Sequence, residues 1–310
     1  MLTGYKGLVK QGKAVSEVYV IRATAKLKLP LGPINLWAGI TAGTYTSTQK
    51  IMKNTILSLS ILLTLSLFAC TTNSSAEKDN EKSTEIESPI NVLSKTEIAD
   101  GWTLLFDGET TAGWRGFKMG NFPDKGWHVI DGTLMIEYSG TGEAGFAGDI
   151  ITDEVYGNFD LKLEWKISPG GNSGILFYVN ESDQYKATWH TANEIQVIDE
   201  FGYEEHHDYV MTIKQMSGAY YDLYSPLRAA AKVQGEWNEV RIKMENGHLQ
   251  HWLNGILVID TQLWTEEWEE RVAKSKFKVY PDFGRAKEGH IGLQDHGQQV
   301  WYRSIKIKEL

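Results

Sequence analysis

The chain reads as an all-β protein: a two-sheet antiparallel sandwich of jelly-roll type with one or two short helices. Three observations predict this. Runs of about five to nine residues between Leu104 and Ile307 alternate apolar and polar side chains, a period of two that puts one face in a core and the other in water. Dipeptides suited to tight turns separate those runs. No regular alternation of strand and helix appears, and no internal repeat favours a propeller.

In chain order, the first expectation is negative. Residues 1–51 carry seven basic residues and one acid, resemble no folded module, and are expected to be disordered, with Met52 as the true start. Residues 52–69 read as a lipoprotein signal peptide, because Lys53 precedes an apolar or hydroxylated run from Thr55 to Ala69 that is short for a membrane span. Leu67-Phe68-Ala69-Cys70 has the form of a bacterial lipobox, which makes Cys70 the expected lipidation site. The expected destination is a bacterial membrane, reached through the lipid anchor only, with the domain facing the periplasm or cell surface. Cys70 is also the only cysteine, so the exported domain has no disulfide and depends on its core. Residues 70–100, polar and then alternately charged, are expected to be a flexible tether.

Residues 101–310 form the expected jelly-roll domain. Phe159, Leu161, Leu163, Trp165 and Ile167 alternate with Asp160, Lys162, Glu164 and Lys166, and Val240, Ile242 and Met244 alternate with Arg241, Lys243 and Glu245. Asp131-Gly132, Asn246-Gly247 and Asn254-Gly255 lie between such runs, where a two-residue hairpin turn needs positive φ. From Trp264 to Phe277 the period changes: Trp264, Trp268 and Val272 are four apart and would share one helical face.

Residues 100 to 310 hold 20 Lys plus Arg against 33 Asp plus Glu, a balance near -13. Nucleic acid, whose phosphates need a basic surface, is therefore excluded as a partner. A cation or a neutral polar ligand suits the balance.

On a strand through Asn193 to Asp199, Glu194 and Gln196 share one face while Ile195, Val197 and Ile198 take the other, with Asp199 opposite Glu194 unless a bulge intervenes. Polar side chains alternating in this way describe either a solvated surface or the floor of a concave sheet that holds a polar ligand. Gln294 and His296 alternate in the same sense, and Leu293 should face the core. Asp295 reads as a surface or turn carboxylate. His206, His207 and Asp208 follow in a loop and could hold a metal, contact substrate, or simply be solvated. Gly170-Gly171-Asn172-Ser173-Gly174-Ile175 lacks the lysine and strand-to-helix context of a phosphate cradle; it reads as a turn into a strand, with Asn172 able to face the cleft. No Gly-x-Ser-x-Gly elbow occurs, and the folded domain has no thiol nucleophile. Ten of the eleven tryptophans lie in this domain, and indole faces are the usual floor of a sugar site. Glu194-x-Gln196-x-x-Asp199 echoes the catalytic strand of laminarinase-type glycosidases, but its middle acid is an amide, which disfavours a two-carboxylate retaining mechanism.

Asn172-Ser173-Gly174-Ile175, Glu194-Ile195-Gln196 with Asp199, Tyr221-Asp222-Leu223-Tyr224, Gly235-Glu236-Trp237-Asn238, His251-Trp252-Leu253-Asn254-Gly255, Ser275-Lys276-Phe277 and Gly289 through Gly297 together resemble the 3-keto-disaccharide hydrolase family, once a domain of unknown function. The resemblance covers roughly residues 100 to 310 and implies a concanavalin A-like jelly roll acting on a small carbohydrate whose ring bears a ketone at its third carbon. It also implies a partner reaction upstream, a sugar 3-dehydrogenase. Such a ketone acidifies the neighbouring hydrogen, so a modest base can start elimination and water can then add. On this reading His296 or Asp199 is the base or acid, Glu194 an acid or metal ligand, and Asn172, Gln196 and Gln294 orient oxygens. His251 and Lys276 are further sugar contacts. A divalent metal would polarise the ketone, although no ligand spacing requires one. Two alternatives stay open, a direct glycosidase of laminarinase-like fold and a noncatalytic carbohydrate-binding lipoprotein.

Overall fold

A computed structural model describes residues 2–11, 14–23, 89–140, 145 and 147–310. The chain divides into two compact units, Met1–Asp79 and Asn80–Leu310. In the first, β1 (Leu2–Gln11) pairs antiparallel with β2 (Ala14–Ala23). Disorder was the expectation for residues 1–51; the Val- and Ile-bearing runs on either side of Gly12-Lys13 carry a strand signal that the charge balance concealed. The expected signal peptide, Cys70 and most of the tether lie outside the described residues.

The second unit begins before the expected boundary at residue 101. Asn91 is buried, its amide donating to the Gly132 carbonyl at 2.8 Å and accepting from the Ser304 N–H at 2.7 Å. Helix α1 (Lys95–Ala99) follows, closed by a Ser94/Glu97 capping box. The last part of the expected tether is thus docked on the domain, because Asn91 satisfies backbone groups that strand pairing leaves open.

Two antiparallel sheets make the sandwich. The larger runs β13 (Ile256–Gln262), β12 (His248–Leu253), β11 (Asn238–Glu245), β8 (Phe159–Ile167), β15 (Val300–Glu309), β6 (Thr133–Ile136), β5 (Trp127–Ile130), with β3 (Thr103–Leu104) also pairing β15. The smaller runs β10 (Asn193–Ile198), β9 (Asn172–Val179), β14 (His290–Leu293), β7 (Ile150–Thr152), β4 (Trp114–Gly116). The jelly-roll class read from the sequence is the class observed. Phe159 to Ile167 and Val240 to Met244 contribute their alternate residues to one core with Ile175, Phe177, Ile195, Val197, Ile291 and Leu293 of the smaller sheet.

All three predicted hairpin dipeptides turn as required, with both residues at positive φ: 49° and 72° at Asp131-Gly132, 51° and 80° at Asn246-Gly247, 51° and 76° at Asn254-Gly255. Helix α2 (Tyr203–His207) lies beyond β10, and α3 (Glu266–Lys274) buries Trp268 and Val272 as the four-residue spacing predicted. Trp264 is not part of that face. It precedes the Thr265 N-cap with φ 63°. The described residues therefore contain three short α-helices rather than one or two, and none is long and apolar enough to cross a membrane.

Candidate active site

Register alone assembles the site on the outer face of the smaller sheet. Ile195 and Val197 point into the core, so Glu194 and Gln196 point out. In β9, Ile175 and Phe177 enter the core, so Asn172, Gly174 and Leu176 take the outer side. Gln196 pairs with Gly174, and the Gln294 N–H donates to the Gly174 carbonyl at 3.0 Å. One row across the sheet is therefore Gln196, Gly174, Gln294. The adjacent row is Glu194, Leu176, Gly292, Ile151, Arg115.

Glycine at 174 decides the geometry between these rows. A Cβ there would lie 2.7 Å from Glu194 Oε1, so the Glu194 side chain occupies the space a larger residue would fill, between Gln196 and Gln294. The Gln196 amide donates to Asn172 Oδ1 at 3.2 Å. Glu194, Gln196, Asn172 and Gln294 thus converge, and they are no more than 8% exposed. Ile198, expected on the core side, pairs with Asn172 and follows the register of Gln196 instead.

The row continues to a residue that the sequence reading did not select. Leu293 pairs with Ile150 and Gly292 with Ile151, which sets Asp149 opposite Gln294, and the Asp295 N–H donates to Asp149 Oδ1 at 2.9 Å. The Thr188 hydroxyl donates to its other oxygen. Burial raises the Asp149 carboxyl to about 6, the nearby Asp295 charge adding to the effect and the hydrogen bonds opposing it. A carboxyl tuned to that range transfers protons near neutrality. Strand β7 has three residues, too few to show the alternation that would have exposed Asp149.

Tyr221 extends the other row beyond Glu194. Its N–H donates to the Glu194 carbonyl at 3.0 Å, and burial, with the Glu194 charge assisting, raises its hydroxyl to about 12. It therefore stays a donor at neutral pH. Lys276 sits at this rim, its ammonium 4.3 Å from the Tyr221 ring centroid.

Two expected assignments need correction, and the setting of a third differs from that expected. Asp199 is not presented to a ligand: Oδ2 accepts from Gly170 N at 2.9 Å and Oδ1 from Phe201 and Gly202 N at 3.3 and 3.1 Å, so it ties the chain after β10 to the turn before β9. His251 lies on β12 of the other sheet, fully buried against Gly218, with Nδ1 at 3.2 Å from the Arg241 carbonyl; burial lowers it to about 4. It is a neutral core histidine. His296 lies beyond the paired part of β14, in a turn that the Asp295 carboxylate closes by accepting from Gly297 N at 2.9 Å. His296 stands half-buried in that turn, one residue from the group that holds Asp149. Asp295 is the turn carboxylate expected, also accepting from Ala147 and Gly148 at 3.0 and 3.1 Å. His206 and His207 each place a ring nitrogen on a backbone carbonyl, Gly202 and Gly170 respectively. Among the described residues no group of three His, Cys, Asp or Glu side chains is placed to hold a metal ion.

Residues 101–308 match the model of the 3-keto-alpha-glucoside-1,2-lyase-like domain. The chain belongs to that family. Within it, a 3-keto-disaccharide hydrolase of Bacteroides thetaiotaomicron is 36% identical over 234 residues, which are 68% of this chain and 79% of that one. A crystal structure from Parabacteroides distasonis, provisionally assigned as a glycosyl hydrolase, is 36% identical with a TM-score of 0.65, covering 72% of this chain and 100% of the other. A second such structure from that organism has 25% identity and a TM-score of 0.50, covering 67% and 99%. The polar face built from Glu194, Gln196, Gln294 and Asp149 falls wholly inside the family match.

Proposed function

We propose that the protein is an enzyme cleaving glycosidic bonds, and that its substrates are 3-keto-glycosides or 3-keto-disaccharides. The carrying observation is the spacing of two carboxylates on one face. Glu194 lies over Gly174, and Asp149 lies two strands away across Gln294, so the groups are separated by roughly two strand spacings, ~10 Å. A retaining glycosidase needs its carboxylates about 5 Å apart and an inverting one about 6.5–9.5 Å, so the separation disfavours direct retention, and the activity named for the 36% identical relative favours a 3-keto substrate over direct inversion. Elimination needs no such closeness.

With a ketone at the third carbon, Asp149 takes the hydrogen from the second carbon, and the Gln294 amide, which has no protein partner among the described hydrogen bonds, holds the oxygen of the enolate. The bond from the first carbon to the leaving oxygen then breaks, Glu194 supplying the proton to that oxygen. Water adds at the first carbon and a proton returns to the second, giving free 3-keto-sugar and the alcohol. His296, beside the Asp149 anchor, is a second proton carrier in this scheme. Asn172, Gln196 and Lys276 orient hydroxyls.

Purified protein should release product from 3-keto-trehalose and leave trehalose intact, with and without chelator. Cleavage of trehalose at a comparable rate would favour a direct glycosidase; binding of both without turnover would favour a noncatalytic module. We further propose lipid-anchored export through Cys70 and supply of substrate by a sugar 3-dehydrogenase. Residues 67–70 and the chemistry of the ketone support these two points.

A further inference from the structure

Trp189 is one of several tryptophans that are not members of the buried core, and it lies directly after Thr188, which bonds Asp149. It is partly exposed, and its ring packs on His190 (4.6 Å between centroids, 73°) and Tyr280 (5.2 Å, 80°), while His190 stacks on Tyr280 at 4.4 Å and 22°. Three rings, each partly exposed, thus form a small aromatic cluster, anchored where Tyr280 packs against the edge of the core.

Two tethers fix this cluster to the site. Thr188, the residue before Trp189, bonds the Asp149 carboxylate. Tyr280 ends the 3-10 turn Lys276–Val279, whose first residue places its ammonium over Tyr221, next to Glu194. One tether leads to each carboxylate. Phe117 donates its N–H to the Asp149 carbonyl at 2.9 Å on the same side, and burial lowers His190 from its ordinary value, the Lys186 and Lys118 charges adding to the effect.

We infer that Trp189, His190 and Tyr280 form a leaving-group subsite for a second ring, so that the preferred substrates are glycosides of another sugar or of an aryl group rather than of a small alcohol. The inference rests on the reading of the polar face as the cleavage site. Ring faces present the apolar area that an indole and a phenol bind best, and a stacked pair contributes about tenfold in affinity. A methyl leaving group has no such face.

The test compares phenyl and methyl glycosides with the wild-type chain and with Trp189→Ala and Tyr280→Phe. Using the 3-keto forms, kcat/KM for the phenyl compound should fall about tenfold in Trp189→Ala while that for the methyl compound stays within twofold, and Tyr280→Phe, which keeps the ring, should retain the preference. Using unoxidised forms and tryptophan fluorescence, the phenyl glucoside should bind wild type about tenfold more tightly than the methyl glucoside, and Trp189→Ala should abolish the difference. The binding arm requires no turnover. A wild type that turns over neither 3-keto compound yet shows this binding preference keeps the subsite and overturns the proposed reaction. Equal affinities for the two glycosides in wild type, or equal losses in Trp189→Ala, overturn the subsite.

Discussion

A single carboxyl group carries opposite consequences for stability and for catalysis. Asp149 titrates near 6 in the fold against an ordinary value of 3.8, so the folded state holds a proton that the unfolded chain has lost between those two values. Its contribution to stability is therefore present below about 4 and is lost as pH rises through about 6, by up to about 3 kcal/mol. Asp149→Asn keeps the bond from the Asp295 N–H, reverses the Thr188 bond so that the hydroxyl accepts, and removes the penalised charge. Thermal melts at pH 8 should show equal or higher stability, while kcat/KM loses its limb near pH 6 and falls by about 10² to 10⁴. Gly174 offers a second separation. Its φ is not positive, and a new Cβ would meet only the movable end of Glu194, so Gly174→Ala should change Tm little yet displace the carboxylate and reduce kcat/KM at least tenfold. Neither residue could be assigned a role from sequence. Asp149 follows a stretch without periodicity, and the value of Gly174 lies in what the neighbouring strand places above it.

At the level of elements, what was legible followed from period and turn chemistry. The alternation in β8 and β11 and the three hairpin dipeptides required no tertiary information, and each was observed as read. Where a strand ended, alternation ceased to inform: Asp199 and His296 both lie beyond the paired part of a strand, His296 having been placed by extending the period of Gln294 and Asp199 given its role by the family resemblance although the period set it opposite Glu194. Asp199 instead secures three backbone N–H groups, so Asp199→Ala should destabilise by about 2 kcal/mol in denaturant melts. Its kcat/KM at temperatures well below Tm should remain within a few-fold of wild type. A loss of several hundredfold in a folded variant would restore Asp199 to the chemistry.

Over the whole domain, Asp149 and His251 are two fully buried titrating groups whose effects oppose one another. His251 is held neutral in the core near 4 against an ordinary value of 6.5, so its contribution is present above about 6.5 and is lost as pH falls toward 4. Asp149 runs the other way across an overlapping window, so the two slopes offset one another between pH 4 and 6. Replacing His251 with Phe removes one side of that balance, so Tm of the variant should fall less, or rise, relative to wild type as pH falls from 6 to 4, measured at each pH. The sandwich class and the family motifs were legible in the chain; which polar residues shared a face was only partly so, since register across β10, β9, β14 and β7 brings together residues more than 140 positions apart. The most direct test of that convergence is single-turnover kinetics with equilibrium binding of 3-keto-trehalose to Glu194→Gln and Asp149→Asn. Chemistry should slow by about 10² or more in each while affinity stays within a few-fold. Wild-type rates in both folded variants would contradict the account.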